Sequence, residues 1–153
     1  MVLVLDRDKL WDYDRGVRTV SVYVDDVVHN FGRMKMCHLW ADTEAELFDM
    51  VKKIGVDSKW VQGHPTSIGK AKDVGWVHFD IALSKKALAL KYGAILTDKY
   101  GPVVFTSMQR IARAIETGDT EMRERAEARI AQIERLRAKA PIGGNVCGEM
   151  ELG

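Results

Sequence analysis

The sequence predicts an α/β fold: a small mixed β-sheet flanked by helices, with a C-terminal helical hairpin. Three short stretches, Tyr23-Val24-Asp25-Asp26, Met36-Cys37-His38-Leu39-Trp40-Ala41-Asp42 and Val77-His78-Phe79-Asp80, each run an apolar strand pattern into aspartates. Between the second and third lies a capped helix with an apolar stripe. After Pro102 the composition turns to Arg, Glu and Ala with helical periodicity.

Met1 to Leu5 is too short for a signal-peptide core and is followed at once by Asp6-Arg7-Asp8-Lys9. Residues 1 to 18 mix Val and Leu with charge. Trp11 and Tyr13 there suit a peripheral strand or an arm that docks through its aromatics. From Thr19, Val20, Val22 and Val24 alternate with Thr19, Ser21 and Tyr23, which predicts a strand with one apolar face. Residues 27 to 33 read as a connection turning at Gly32. Met34 to Ala41 is apolar on both faces, as expected of a central, doubly covered strand.

Thr43 followed by Glu46 forms a capping box, and Leu47, Met50, Val51 and Ile54 make the stripe that Gly55 ends. Residues 56 to 75 form a long loop with Trp60 and His64. Trp76 to Ile81 is the next strand, with Val77, Phe79 and Ile81 on one face and Trp76, His78 and Asp80 on the other. Ser84 is expected to cap a helix over Lys85 to Tyr92, ended by Gly93, and Ala94 to Thr97 to form a last strand. Helices are expected over Ser107 to Thr117 and Asp119 to Lys139, broken at Gly118. The second has a narrow stripe of Met122, Ala126, Ile130, Ile133 and Leu136, which suits a neighbouring helix or a second copy of the chain. The organisation expected is an α/β domain over 1–101, a helical hairpin over 102–140 and a flexible tail over 141–153.

At 153 residues, 46% hydrophobic and 29% charged, the composition is that of an ordinary globular domain. A net charge of +1 gives no global drive toward nucleic acid or membrane. No apolar run approaches the roughly 20 residues of a spanning helix, so no membrane partner is expected. Cys37 and Cys147 make no disulfide framework, and a reduced cytoplasm fits them.

Strands that only fill a core do not need carboxylates and imidazoles at their exits, because a buried charge is costly unless paired or coordinating. If the strand ending at Ala41, the following helix and the strand at 76 to 81 form a parallel, right-handed β-α-β unit, Asp42 and Asp80 leave at one edge, with His38 and His78 further in. Ligands bind at that edge of open α/β sheets. His38, Asp42, His78 and Asp80 are the candidate metal ligands, for Mg, Mn or Zn. Ser84, Lys85 and Lys86 at a helix start are the candidate phosphate cradle. Asp25, Asp26 and Arg33 are candidate catalytic groups, but an antiparallel first strand puts them at the far end, roughly 25 Å from Asp42. Either two polar clusters exist or the first strand has another neighbour. Each signal has a plainer reading: His38 bonded within the sheet, His78 and Asp80 facing solvent, Asp25 and Asp26 ending a strand, Asp42 and Ser84 starting helices. Walker loop, Gly-x-Gly-x-x-Gly, nucleophile elbow and Cys-x-x-Cys are all missing from the sequence.

Tyr23-Val24-Asp25-Asp26, Gly32-Arg33, His38-Leu39-Trp40-Ala41-Asp42, Glu46-Leu47, Ile54-Gly55, Lys59-Trp60, His78-Phe79-Asp80, Ser84-Lys85-Lys86 and Gly93-Ala94 follow one another in this order along the chain. Through them the segment from about 20 to 96 resembles the bacterial and phage family called domain of unknown function 4031. This chain departs from that pattern in a longer loop between Trp60 and Trp76 and in Lys86, where arginine is expected. The resemblance implies a shared polar site and a bacterial or phage-infected cytoplasm, and supplies no substrate. The function expected is a metal-dependent hydrolase acting on a phosphoester, a nucleotide or a nucleic acid. The rival is a non-catalytic accessory protein that binds a nucleotide or a host protein. A homo-oligomer through helix 119–139 is the further partner expectation.

Overall fold

The computed structural model describes residues 11–12, 17–18 and 21–139. The expectations for residues 1–10, Tyr13, Thr19, Val20, Cys147 and the tail lie outside the described residues. Two compact units meet in sequence between Pro102 and Val103. In the first, β1 (Trp11–Asp12) and β2 (Val17–Arg18) pair as an antiparallel ribbon. A mixed five-stranded sheet follows, made of β3 (Val22–Asp25), β4 (His29–Phe31), β5 (Met34–Ala41), β6 (Phe79–Ala82) and β7 (Ile95–Thr97). Helix α1 (Glu44–Ile54) follows β5, and α2 (Leu83–Lys91) joins β6 to β7. Helices α3 (Gly101–Thr117) and α4 (Thr120–Lys139) form the C-terminal hairpin. The α/β class and the hairpin are those the sequence predicts. No described helix is long and apolar enough to cross a membrane.

Strand β5 is the spine. On one side it pairs antiparallel with β3, Val24 opposite Leu39, and then with β4, His29 opposite Met36. From Val24 to His29 the chain advances two residues more than its partner does from Leu39 to Met36. Residues 26 to 28 are therefore a bulge in one interrupted strand, a device that re-aims side chains. The segment read as a bare connection thus contains β4. Gly32 at φ 60 begins the two-residue turn to β5, and a glycine there suits a type II′ hairpin.

On its other side β5 pairs with β6, and here the structure corrects the expected parallel unit: the pairing is antiparallel, His38 opposite Asp80 and Leu39 opposite Phe79. The reason lies in the long loop. After α1, residues 56 to 75 carry the chain back along the helix, so that His64 Nε2 lies 3.2 Å from Glu44 in the first turn of α1. The chain therefore enters β6 from the Asp42 end of β5. His78 sits just outside β6, in an isolated bridge to Gln62. Strand β7 pairs parallel with β3, completing the order β6, β5, β3, β7, with β4 continuing the β3 edge.

The alternation of β5 sorts the two faces. Val22, Val24, Cys37, Leu39, Ala41, Phe79 and Ile81 pack with Leu47, Met50, Val51 and Ile54 of α1 and Ala89 of α2 into one core. Thr43 accepts the Glu46 N–H at 3.2 Å, and Gly55 ends α1 at φ 75, as the capping box and stop signal predict. Helix α2 starts two residues earlier than expected, with Ala82 at the cap position and no side-chain cap bond, so Ser84 lies inside the first turn. Helix α3 starts six residues early because Pro102 falls at its beginning, where its missing N–H costs nothing. Ala126 and Ile133 of the α4 stripe are buried within the single chain.

Burial pushes the Cys37 thiol up, with the Asp25 carboxylate adding to it, to about 11 from an ordinary 9.0. A folded-state pKa raised in this way gives stability that is whole below about 9 and is lost as pH rises toward 11. Tyr23, raised by burial and then by Asp42, acts in the same sense. In a Cys147→Ser background, Cys37 is expected to resist iodoacetamide at pH 8 and to react only on unfolding. Rapid alkylation of the native protein at that pH would contradict its burial.

Candidate functional site

The sheet face opposite α1 and α2 carries Tyr23, Asp25, His38, Trp40 and Asp80, because directly opposed residues share a face and alternation places these together. His38 is the centre of this row. Its backbone N–H donates to Asp25 Oδ1 at 3.0 Å, and its Nδ1–H donates to Asp25 Oδ2 at 2.6 Å. Asp25 is fully buried, with 0% exposure, and these two bonds compensate that burial. The Asp25 hydrogen bond raises the His38 pKa above its ordinary value, outweighing the opposite effect of burial. That bond places a proton on Nδ1 and turns Nε2 away from Asp25.

Two more imidazoles face the same carboxylate, that of Asp80. Nε2 of His29, His38 and His78 lies 3.7, 3.8 and 3.5 Å respectively from one atom, Asp80 Oδ1. The bulge is what admits His29, whose ring stacks on His38 with centroids 5.1 Å apart. His78 is 4% exposed, and its Nδ1–H donates to the Trp76 carbonyl at 3.2 Å, which turns Nε2 toward Asp80. The Trp76 ring lies flat on His78 at 4.0 Å. Gln62, placed by its backbone pairing with His78, donates from Nε2 to the other Asp80 oxygen at 2.7 Å. Burial works to raise the Asp80 carboxyl, but the His78 imidazole and the Gln62 amide outweigh it, so its pKa is lowered and it stays a carboxylate.

The separations of 3.5 to 3.8 Å are long for hydrogen bonds. Buried His29 Nε2 and Asp80 Oδ1 have no hydrogen-bond partner among the described residues. They are close, however, to the roughly 3.3 Å edge of a tetrahedron with metal–ligand bonds of about 2.0–2.1 Å. Ligand atoms of His29, His38 and Asp80 all lie within 4.8 Å of one another, the spacing of a metal-binding set. Carboxylate-to-histidine and carbonyl-to-histidine bonds, as at His38 and His78, are the usual outer support of metal-binding imidazoles.

Of the residues singled out from the sequence, His38, His78 and Asp80 come together, joined by Asp25. Asp42 does not. It accepts the Ser21 N–H at 2.9 Å and the Tyr23 hydroxyl at 3.1 Å, four residues along β5 from His38. Asp26 is exposed in the bulge and Arg33 is exposed in the hairpin turn. The Lys85 ammonium reaches the C-terminal end of α1 at Gly55, and Lys86 lies near enough to Cys37 to oppose the rise of its thiol pKa. Ser84, Lys85 and Lys86 thus belong to the helix-covered side, away from the cluster. His29 and Gln62 are the site residues that sequence reasoning missed. The signal for His29 was its place two residues before Phe31, in a run that resumes strand alternation after the bulge.

No curated protein and no solved structure matches the chain. The family described as "Protein of unknown function (DUF4031)" matches residues 22–109, more than half of the 153 residues. That span holds Asp25, His29, His38, His78 and Asp80. The chain belongs to the DUF4031 family.

Proposed function

We propose that the protein is a metal-dependent hydrolase acting on a phosphoester of a nucleotide or nucleic acid. The observation that carries this reading is the grouping of His29, His38 and Asp80, whose ligand atoms lie within 4.8 Å of one another around Asp80 Oδ1, an atom with no hydrogen-bond partner among the described residues. A divalent cation there would satisfy the imidazole nitrogens and the carboxylate oxygen together. His29, His38 and Asp80 would hold the ion. Their imidazole-rich set favours Zn or Mn over Mg. Such an ion lowers the pKa of bound water toward about 7 and polarises a phosphoryl oxygen. Asp25 fixes the tautomer of His38. His78 Nε2 is free to take or return a proton beside the ion. The side chains of His29, His38 and Asp80 are about a quarter to a third exposed, while His29 Nε2 and Asp80 Oδ1 themselves are buried.

A second reading rests on His78, whose Nε2 is the nearest of the three to Oδ1. As a fourth ligand it would close a tetrahedral site, and the protein would bind rather than turn over its ligand. Calorimetry on chelator-treated protein is expected to show one Zn or Mn per chain. The loaded protein should then hydrolyse bis(p-nitrophenyl) phosphate or a single-stranded oligonucleotide. His78→Gln is expected to keep the ion and lose most of the activity, whereas loss of the ion would favour the four-ligand binder. An absence of both metal binding and cleavage would end the hydrolase reading.

A further inference from the structure

We propose that Phe31 and Met34, at the tip of the β4–β5 hairpin, form a stacking shelf for a base of single-stranded nucleic acid whose phosphate lies at the His29, His38 and Asp80 cluster. This deepens the proposed function and rests on it for the position of the phosphate. Phe31 and Met34 face each other across the hairpin and are 69% and 48% exposed. Their exposure is not a requirement of the turn, which Gly32 at φ 60 already sets.

Alternation puts Phe31 on the same sheet face as His29 and Met34 on the same face as Met36 and His38. The aromatic ring therefore stands two residues from a candidate metal ligand, roughly 7 Å along the strand. That separation is comparable with the reach from a phosphate to its own base. Arg33 supplies a charge of the matching sign at the hairpin turn. Arg33 occupies the turn beside Phe31, and Lys35 lies on the opposite face of the hairpin. Aromatic rings beside a cation are how single strands are held without sequence preference.

The test is fluorescence anisotropy with the zinc-loaded full chain, using a labelled ten-residue oligothymidylate and an abasic oligomer of the same length. Phe31→Ala is expected to weaken oligothymidylate binding by roughly 5- to 100-fold, the effect of losing one stacked base. Phe31→Trp should restore it, and the abasic probe should bind wild type and Phe31→Ala equally weakly. Leu136→Ala, an exposed apolar change on α4, serves as the control for general surface effects. The shelf is overturned if wild type does not bind oligothymidylate, or if Phe31→Ala binds it as wild type does. It is equally overturned if Phe31→Ala converts a dimer to a monomer while oligothymidylate binding is unchanged. Oligonucleotide binding through Phe31 without any cleavage would leave the shelf standing and remove the hydrolase. Cleavage indifferent to Phe31 would do the reverse.

Discussion

Replacing His38 by Ala is expected to lower zinc affinity by more than about 100-fold, with a corresponding loss of any hydrolysis. The bound on that effect comes from its neighbour. Loss of a group that merely orients a metal-binding imidazole costs roughly 10- to 100-fold, and this is the range expected for Asp25→Asn. Asparagine can still accept the His38 backbone N–H, but its amide cannot offer the carboxylate that holds the Nδ1 proton at 2.6 Å. His29→Ala should match His38→Ala, since both place Nε2 near Asp80 Oδ1. Asp42→Asn should leave zinc affinity unchanged, because its carboxylate is engaged by Tyr23 and Ser21. Isothermal titration with circular dichroism as the folding check reads all four. A loss at Asp42 equal to that at His38 would mean that the ion sits elsewhere.

The contrast between His38 and Asp42 also marks where sequence reading stops. Alternation along Met34 to Ala41 correctly separated Cys37 and Leu39 from Trp40, because strand periodicity is local. Alternation in the third run likewise set Phe79 and Ile81 in the core and His78 with Asp80 on the other face. The direction of β6 is not local. It depends on whether residues 56 to 75 return along α1, and the contact that shows it, His64 with Glu44, joins positions twenty apart. Reading that connection as a simple crossover drew Asp42 into the site, whereas Asp25 was misplaced by the register of a first strand whose antiparallel direction is as expected. The register in fact sets Asp25 and Asp80 on either side of His38. His29 was hidden for another reason: two extra residues in the bulge break the alternation that would have announced β4. The aromatic and carboxylate content of the site was legible, then, while its closure depended on a bulge and a returning loop.

That returning loop has one position on which the site depends without touching the candidate ion. Gly63 adopts φ +71, and a Cβ there would stand 2.0 Å from the Trp76 carbonyl oxygen and 2.5 Å from its carbon. Both are backbone atoms, which cannot rotate away as a side chain can. The same carbonyl accepts the His78 Nδ1–H, and Gly63 follows Gln62, whose amide holds Asp80. Gly63→Ala is therefore expected to destabilise the fold by about 3 kcal/mol or more, combining left-handed strain with a displaced backbone. The correct comparison is Gly69→Ala. Gly69 has a similar φ of +57 with nothing within 4 Å of a Cβ, so it isolates the strain alone, about 1–2 kcal/mol. Urea unfolding of the two variants measures the difference directly. Zinc titration should show Gly63→Ala weakened as well, because moving the Trp76 carbonyl releases the tautomer of His78 and the ring stacked on it. Equal stability of the two variants would mean that Trp76 is not held against the loop at Gly63, and that His78 is oriented by its ring stacking rather than by that carbonyl.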